Sequence, residues 1–386
     1  MYLNYFFQGI ASIIISQNLK IFQNQWGASV SQVTLVVSAI GLGRLLTLNL
    51  AGWFSDRFSR KRTVLVGVTA NVLFFAGIVF TNNHITAFLV ALLAGVGNAF
   101  LDTSTYPIVV ESFPSENDNS SLSVLNKAFI STGQFILPIL IRWTLKNDLY
   151  FGWIFFICAF GLLLNLFILN RLSYPEKQAK LLSFDLDPVR TANRLHTSKL
   201  YIEGAALMIF SFVSVSLFNI FVFWIPSFSE KVLGISEADS LLFVSVYSIC
   251  SFFSVFATSF VVKKRVNIPL LILICLFFTS LSLFYMIVWP SMLSITLASI
   301  FVGIFAAGGI WQLGLVVLLE FFPQNKGIVT SFYSFATAVS VMLTPYFTGL
   351  MVEYSIYWAF IYNLVLALIG LLAIYIVKIR YQRLFK

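Results

Sequence analysis

Two acidic residues, Asp102 and Glu111, lie in a part of the chain that is otherwise apolar. The stretch reads LDTSTYPIVVESFP from residue 101 to residue 114, and it continues an apolar run that begins near Ile85. A carboxylate inside a membrane-spanning helix costs about 2.5–3.5 kcal/mol on insertion scales, so such residues face a partner or a water-filled interior. Because removal from water favours the protonated form of a carboxyl group, Asp102 is a candidate proton-binding residue.

Two further charged residues are placed where they could do similar chemistry. Arg44 lies 12 residues before Asp56, which is about 18 Å along a helix. Arg44 could pair with Asp102, which would lower the cost of both charges, or it could hold an anionic group of a bound molecule. Glu203 is a second candidate for proton binding, and snorkelling to the membrane interface is its alternative role.

The composition predicts an all-α polytopic membrane protein. Of the 386 residues, 59% are hydrophobic and 10% are charged, and the mean hydropathy is +0.92. The apolar runs are about 20 residues long and continuous, which is typical of membrane helices rather than of alternating strands. Twelve apolar segments can be marked: 3–22, 31–55, 63–81, 85–112, 122–144, 151–171, 199–224, 238–261, 268–289, 292–321, 327–350 and 358–378.

One longer polar connection, 172–198, divides the chain into two six-helix bundles, 1–171 and 199–386. With the N-terminus inside, 19 of the 24 Lys and Arg residues fall on the cytoplasmic side, Lys127 among them, and 4 fall outside. This asymmetry predicts cytoplasmic N- and C-termini in the plasma (cytoplasmic) membrane of a bacterium. It also explains the net charge of +9 by topology rather than by nucleic-acid binding.

Other chemistries find little support in the residue pattern. The chain has no cleavable signal pattern, nucleophile–base pair, metal-ligand spacing or phosphate loop, so neither an enzyme nor a cofactor is expected. The expected partners are a small-molecule substrate, protons and the lipid bilayer, and nothing requires more than a monomer. The cysteines and histidines were considered individually for these roles: Cys158, Cys250, Cys275, His84 and His196.

The two halves contain a weak internal repeat. Residues 110–117 read VESFPSEN and residues 319–326 read LEFFPQNK, so Glu111 aligns with Glu320. Parallel repeats of six helices are typical of transporters whose substrate site lies between the halves near the membrane midplane. Asp102 has no acidic counterpart, since Trp311 occupies its aligned position.

The loop after the second segment resembles a family signature. Its sequence, GWFSDRFSRKR from residue 52 to residue 62, is similar to the major facilitator superfamily pattern Gly-x-x-x-Asp-Arg/Lys-x-Gly-Arg-Arg/Lys. Ser59 replaces the second glycine, and the matching residues are Gly52, Asp56, Arg57, Arg60 and Lys61. The resemblance implies twelve helices in two bundles related by pseudo-two-fold symmetry and secondary active transport by alternating access. It also implies that the third, sixth, ninth and twelfth helices face lipid.

The resemblance further implies a cytoplasmic gate that latches the two halves. Its predicted members are Asp56, Arg57, Arg60, Glu111 and Glu320. Charged side chains at helix ends can pair with one another or with unsatisfied backbone groups. The alternative is that the basic residues only set the topology.

A finer resemblance concerns the fourth segment, where Asp102, Thr103 and Pro107 match a stretch of the fucose permease family. Tyr106 replaces the asparagine usual in that family, and the first segment lacks the acid found there. This resemblance implies proton-coupled uptake of a sugar or similar polar metabolite. The alternative is a proton-coupled exporter of lipophilic or cationic compounds, which the 42 phenylalanines also suit.

A predicted substrate cavity follows from polar positions at helical spacing. Asn4 and Gln8 begin a polar stripe with a spacing of four residues on the first segment. Trp311 beside Gln312 would suit a sugar ring, although polar residues can also serve only as contacts between helices. The predicted cavity residues are Asn4, Gln8, Arg44, Asn98, Tyr106, Gln134, Asn219, Tyr247, Trp311 and Gln312.

Overall fold

The computed structural model describes residues 1–112, 116–172, 200–262, 266–323 and 326–385, and within these ranges it contains helices and no strand. Two π-helical turns, Leu200–Gly204 and Val302–Ala306, interrupt the α-helices. The α-helices of these ranges are α1 (Tyr2–Gln17), α2 (Leu19–Trp26), α3 (Val30–Arg57), α4 (Arg60–Ile78), α5 (His84–Ser112), α6 (Glu116–Lys146), α7 (Gly152–Arg171), α8 (Ala205–Leu233), α9 (Glu237–Ser240), α10 (Leu242–Val262), α11 (Ile268–Val288), α12 (Met292–Phe301), α13 (Ile310–Phe321), α14 (Lys326–Tyr354) and α15 (Ile356–Phe385).

The helices confirm the predicted polytopic class. Eleven helical segments of the described ranges are long and apolar enough to cross a membrane. The first predicted segment, 3–22, is divided at Asn18 into α1 and α2. Together they account for the twelve segments marked from the sequence, and the tenth is built from α12, a π-helical turn and α13.

Local sequence explains where several helices begin. Ser29 and Gln32 form a capping box at the start of α3, in which each side chain accepts from the backbone N–H of the other residue. Ser59, which stands in place of a glycine in the signature loop, has extended backbone and accepts from the Arg62 N–H at the start of α4. An N-cap serine therefore provides the turn between α3 and α4.

The two halves meet along three helix pairs. α3 packs against α14, where a Cβ atom on Gly41 would lie 2.4 Å from the backbone nitrogen of Met342. α6 packs against α10, where the Ser131 and Ser251 hydroxyls are 3.3 Å apart. α1 meets α8, where Gln17 Nε2 donates to the Val222 carbonyl oxygen over 3.1 Å. The interface between the halves thus contains polar side chains at several levels.

Apolar side chains cover the outer surface. Large exposed side chains occur on helices that match the third, sixth, ninth and twelfth segments, among them Leu73, Ile157, Phe277 and Leu372. Such exposure is expected where the solvent is lipid. The polar residues discussed below lie mostly on the other helices.

The tenth segment is broken in its middle. Gly309 adopts φ +106°, a conformation that side chains other than glycine rarely allow. The carbonyl oxygens of Ile304 and Gly308 accept hydrogen bonds of 2.6 Å from Ser254 and Thr258 of α10. Neighbouring side chains therefore replace backbone bonds that the break removes, as irregular backbone within a membrane requires.

Candidate functional site

An ion pair joins α3 to α5 in the interior of the first half. Arg44 Nη2 lies 3.0 Å from Asp102 Oδ2, and the side chains are 27% and 18% exposed. The buried side chain of Tyr5 on α1 approaches the same carboxylate. Since Asp102 retains contact with solvent, this arrangement can exchange a proton between a paired and a released carboxylate.

Three amide oxygens near the middle of the first half have no hydrogen-bond partner among the described residues. They belong to Gln8 of α1, Asn98 of α5 and Gln134 of α6, all of which are buried. The Gln134 amide nitrogen donates to the Ser12 hydroxyl over 3.2 Å, so this side chain is held in place. An unsatisfied buried acceptor is costly, and a hydroxyl of a ligand or water would satisfy it.

The remaining predicted polar residues occupy different environments. Asn4 is fully buried and accepts from the Asn165 amide of α7, which connects two helices of the same half. Asn219 of α8 is partly exposed. Tyr247 of α10 is fully buried, and its hydroxyl lacks a partner among the described residues. Binding of substrate by each of these side chains stays a prediction.

Trp311 is fixed within the second half by three contacts. Its indole N–H donates to Thr337 over 2.8 Å and to Ser211 over 3.2 Å. The Tyr333 hydroxyl donates to the Trp311 carbonyl oxygen over 2.8 Å. The ring is partly exposed and Gln312 is exposed, so the pair offers an aromatic surface beside an amide.

A family model described as Major Facilitator Superfamily matches residues 1–304 and 264–384. The chain belongs to the Major Facilitator Superfamily. One relative, "Uncharacterized MFS-type transporter YfkL" of Bacillus subtilis, is 33% identical over 100% of this chain and 96% of its own. Another, "Inner membrane transport protein YdiM" of Escherichia coli, is 31% identical over 97% of this chain and 92% of its own. This major facilitator is therefore a membrane transporter and not an enzyme.

Solved structures share the fold at low sequence identity. A bacterial homolog to the human lysosomal transporter Spinster, in an inward-facing and unoccupied conformation, has a TM-score of 0.74 at 13% identity over 99% of this chain and 96% of that chain. A D-xylose-proton symporter has a TM-score of 0.71 at 17% identity over 97% and 95%. These likenesses establish the major facilitator fold.

The signature-loop residues of this major facilitator make contacts within the first half. Arg60 Nη1 donates to Asp56 over 2.9 Å and to the Ser55 hydroxyl over 2.7 Å. The Arg57 guanidinium lies 5.3 Å from the centroid of the Trp53 ring. These contacts hold the end of α3 against the start of α4, and gating by Asp56, Arg57 and Arg60 stays a prediction.

Three other predicted residues need separate comment. The side chains of Tyr106 and Glu111 lie outside the described residues. Glu320 is the penultimate residue of α13, and its part in a gate stays a prediction. Glu203 is fully buried and accepts from Arg380 Nε of α15 over 2.6 Å. That ion pair ties the start of the second half to its last helix, while proton binding at Glu203 stays a prediction.

Lys127 was not among the residues predicted for the cavity, yet the structure places it at the interface of the halves. It lies within α6, and its Nζ is 4.7 Å from the centroid of the Phe218 ring of α8. The polar stripe formed by Lys127, Ser131 and Gln134, at spacings of four and three residues, was a signal for this placement.

The helix ends opposite the signature loop, which we call the far face, are joined by ion pairs between the halves. Asp239 lies 2.8 Å from Arg142 and 3.1 Å from Lys146. Lys20 pairs with Glu230, and also with Glu237 over 3.3 Å. In addition, Glu353 accepts from the Ser31 N–H over 3.0 Å near the start of α3. These contacts hold the far face of this major facilitator together.

Proposed function

We propose that this transporter takes up a sugar or a similar small polar metabolite together with protons, by alternating access. The observation that carries the proposal is the Arg44–Asp102 ion pair in the interior of the first half, still partly exposed to solvent. A charged group in that position is costly and is typical of proton pathways. Protonation of Asp102 would remove one charge of the pair and release Arg44.

The polar atoms around the pair support a hydroxylated substrate. The unpartnered oxygens of Gln8, Asn98 and Gln134 can accept hydrogen bonds from sugar hydroxyls. On the other half, the fixed ring of Trp311 offers a flat apolar surface for the face of a sugar. The D-xylose-proton symporter uses the same fold, although only the fold is shared at 17% identity.

The proposal includes an orientation. The excess of 19 basic residues over 4 supports cytoplasmic N- and C-termini. The name "Inner membrane transport protein" of the Escherichia coli relative supports a bacterial cytoplasmic membrane. In this orientation the far face is outside, so the ion pairs around Asp239 close the external entrance.

The test uses the purified chain in proteoliposomes with a pH indicator inside. Neutral sugars, organic acids and cationic dyes are added in turn, and proton movement is followed together with substrate movement. Proton entry driven by a polar metabolite supports the proposal, whereas proton movement driven only by lipophilic or cationic dyes supports the exporter alternative.

The variant Asp102→Asn should lose proton movement and the pH dependence of transport. Asp148→Asn is the matched control, because Asp148 lies outside the site at φ +51° and asparagine tolerates this conformation. Normal pH dependence in Asp102→Asn would contradict the proposed role of Asp102.

A further inference from the structure

Lys127 lies at the same depth as Asp102. α5 ends at Ser112 and α6 begins at Glu116, so the two helix ends are close in the chain. Asp102 lies 10 residues before the first of these ends and Lys127 lies 11 residues after the second. At 1.5 Å per residue, both side chains start about 15 Å from the connection between the helices.

Two contacts show that this side of α6 faces the second half. Lys127 Nζ lies over the Phe218 ring of α8 at 4.7 Å. One turn further along, the Ser131 hydroxyl is 3.3 Å from the Ser251 hydroxyl of α10. Residues four apart lie on one face of a helix, so Lys127 points into the interface where a transported molecule must pass.

The charges at this level are not balanced. Arg44 and Asp102 neutralise each other at 3.0 Å. Among the described residues Lys127 has no ion pair with an acid, and its recorded contact is the aromatic ring of Phe218. A partly buried ammonium group without a counter-ion is unfavourable, and a bound anion would remove that cost.

We propose that Lys127 binds a carboxylate of the transported molecule, so that the substrate is a small hydroxylated carboxylate such as a sugar acid. The inference rests on the proposed function and specifies its substrate. One ammonium group matches the single charge of a carboxylate, and the unpartnered oxygens of Gln8, Asn98 and Gln134 accept from hydroxyl groups. Arg44 is engaged by Asp102, which leaves Lys127 to recognise the anion.

The experiment measures ligand-induced thermal stabilisation of the full-length protein in detergent at constant ionic strength. The probes are D-gluconate, D-glucuronate and L-lactate, compared with neutral D-glucose and cationic D-glucosamine. We expect stabilisation by at least one carboxylate, with D-glucose and D-glucosamine binding roughly tenfold or more weakly.

Substitutions then locate the contact. Lys127→Met should weaken carboxylate binding by roughly ten- to a hundredfold, and Lys127→Arg should retain most of it. Lys231→Met is the control, because Lys231 is an exposed lysine in the last turn of α8 on the far face. Retention of charge in the arginine variant separates loss of binding from loss of folding.

The outcomes distinguish this inference from the proposed function. If no carboxylate stabilises the protein, or if Lys127→Met binds it as the wild type does, the inference is wrong. Proton-coupled transport of D-glucose would then leave the proposed function intact. Conversely, carboxylate binding that depends on Lys127 without proton movement in proteoliposomes would support the inference and contradict the proposed coupling.

Discussion

Arg44 on α3 and Asp102 on α5 form an ion pair with 3.0 Å between Nη2 and Oδ2, and this pair joins two helices of the same half. Both side chains are partly exposed, so the pair is neither a dry core contact nor a surface contact. Its partners are 58 residues apart in the chain. An ion pair in such a position contributes differently to stability and to transport.

Neutralising one member should destabilise the protein more than neutralising both. Asp102→Asn leaves Arg44 without its counter-charge and should cost about 1–3 kcal/mol, below the roughly 3–5 kcal/mol of fully buried pairs. The double variant Arg44→Gln/Asp102→Asn should recover part of this loss. Thermal unfolding in detergent measures both, and strictly additive losses would show that the two residues are not coupled.

Asp239→Asn should open the far face more often. The change removes the ion pairs with Arg142 and Lys146. Exposed pairs contribute about 0–1 kcal/mol each, so the ratio of open to closed molecules should rise about fivefold. Spin labels at exposed Leu149 and Tyr354, one on each half, report the opening as a longer distance.

Lys231→Gln serves as the control for the far face, because Lys231 is exposed and forms no ion pair with a described residue. High salt should shift the wild type in the same direction as Asp239→Asn, since ions screen exposed pairs. An unchanged distance distribution in Asp239→Asn would mean that helix packing alone closes this face.

Gly41→Ala should reduce transport more than tenfold. The new methyl group would lie 2.4 Å from the Met342 backbone nitrogen and 2.6 Å from its Cα, so α3 and α14 could not close. Backbone atoms cannot rotate away as a side chain can. Gly77→Ala is the control, because its nearest neighbour is a Val90 side-chain methyl at 3.2 Å within the same half. Uptake rates in proteoliposomes measure the difference, and equal rates would rule out a tight crossing at Gly41.

Thr258→Val should weaken the broken tenth segment. The change removes the 2.6 Å hydrogen bond to the Gly308 carbonyl oxygen and should cost about 0.5–1.5 kcal/mol of stability. Thr279→Val is the matched control, since Thr279 donates only to the Cys275 carbonyl within its own helix. Thermal unfolding should show a larger loss for Thr258→Val than for Thr279→Val.

Trp311→Phe and Trp311→Ala should separate the ring from its hydrogen bonds. Phenylalanine keeps an aromatic surface but cannot donate to Thr337, whereas alanine removes both. We expect substrate binding to fall severalfold in the first variant and roughly tenfold or more in the second. Equal binding by Trp311→Ala and the wild type would exclude Trp311 from the substrate surface.

The sequence by itself determined the class, the helices and the family. Apolar runs of about 20 residues predict membrane helices because the bilayer fixes their length and polarity. The signature loop from Gly52 to Arg62 then indicated the superfamily, and Asp102 was recognisable as an exceptional charge in an apolar helix.

Only the tertiary structure decided which charges meet. The sequence left two roles open for Arg44, and the packing of α3 beside α5 selected the pair with Asp102. Lys127 appeared as one of many basic residues on the cytoplasmic side until Phe218 placed it between the halves. Likewise Lys20 and Glu230 pair across 210 residues of chain. Hydropathy reports the depth and environment of each segment, whereas contacts between distant segments depend on how the helices are rotated and packed against one another.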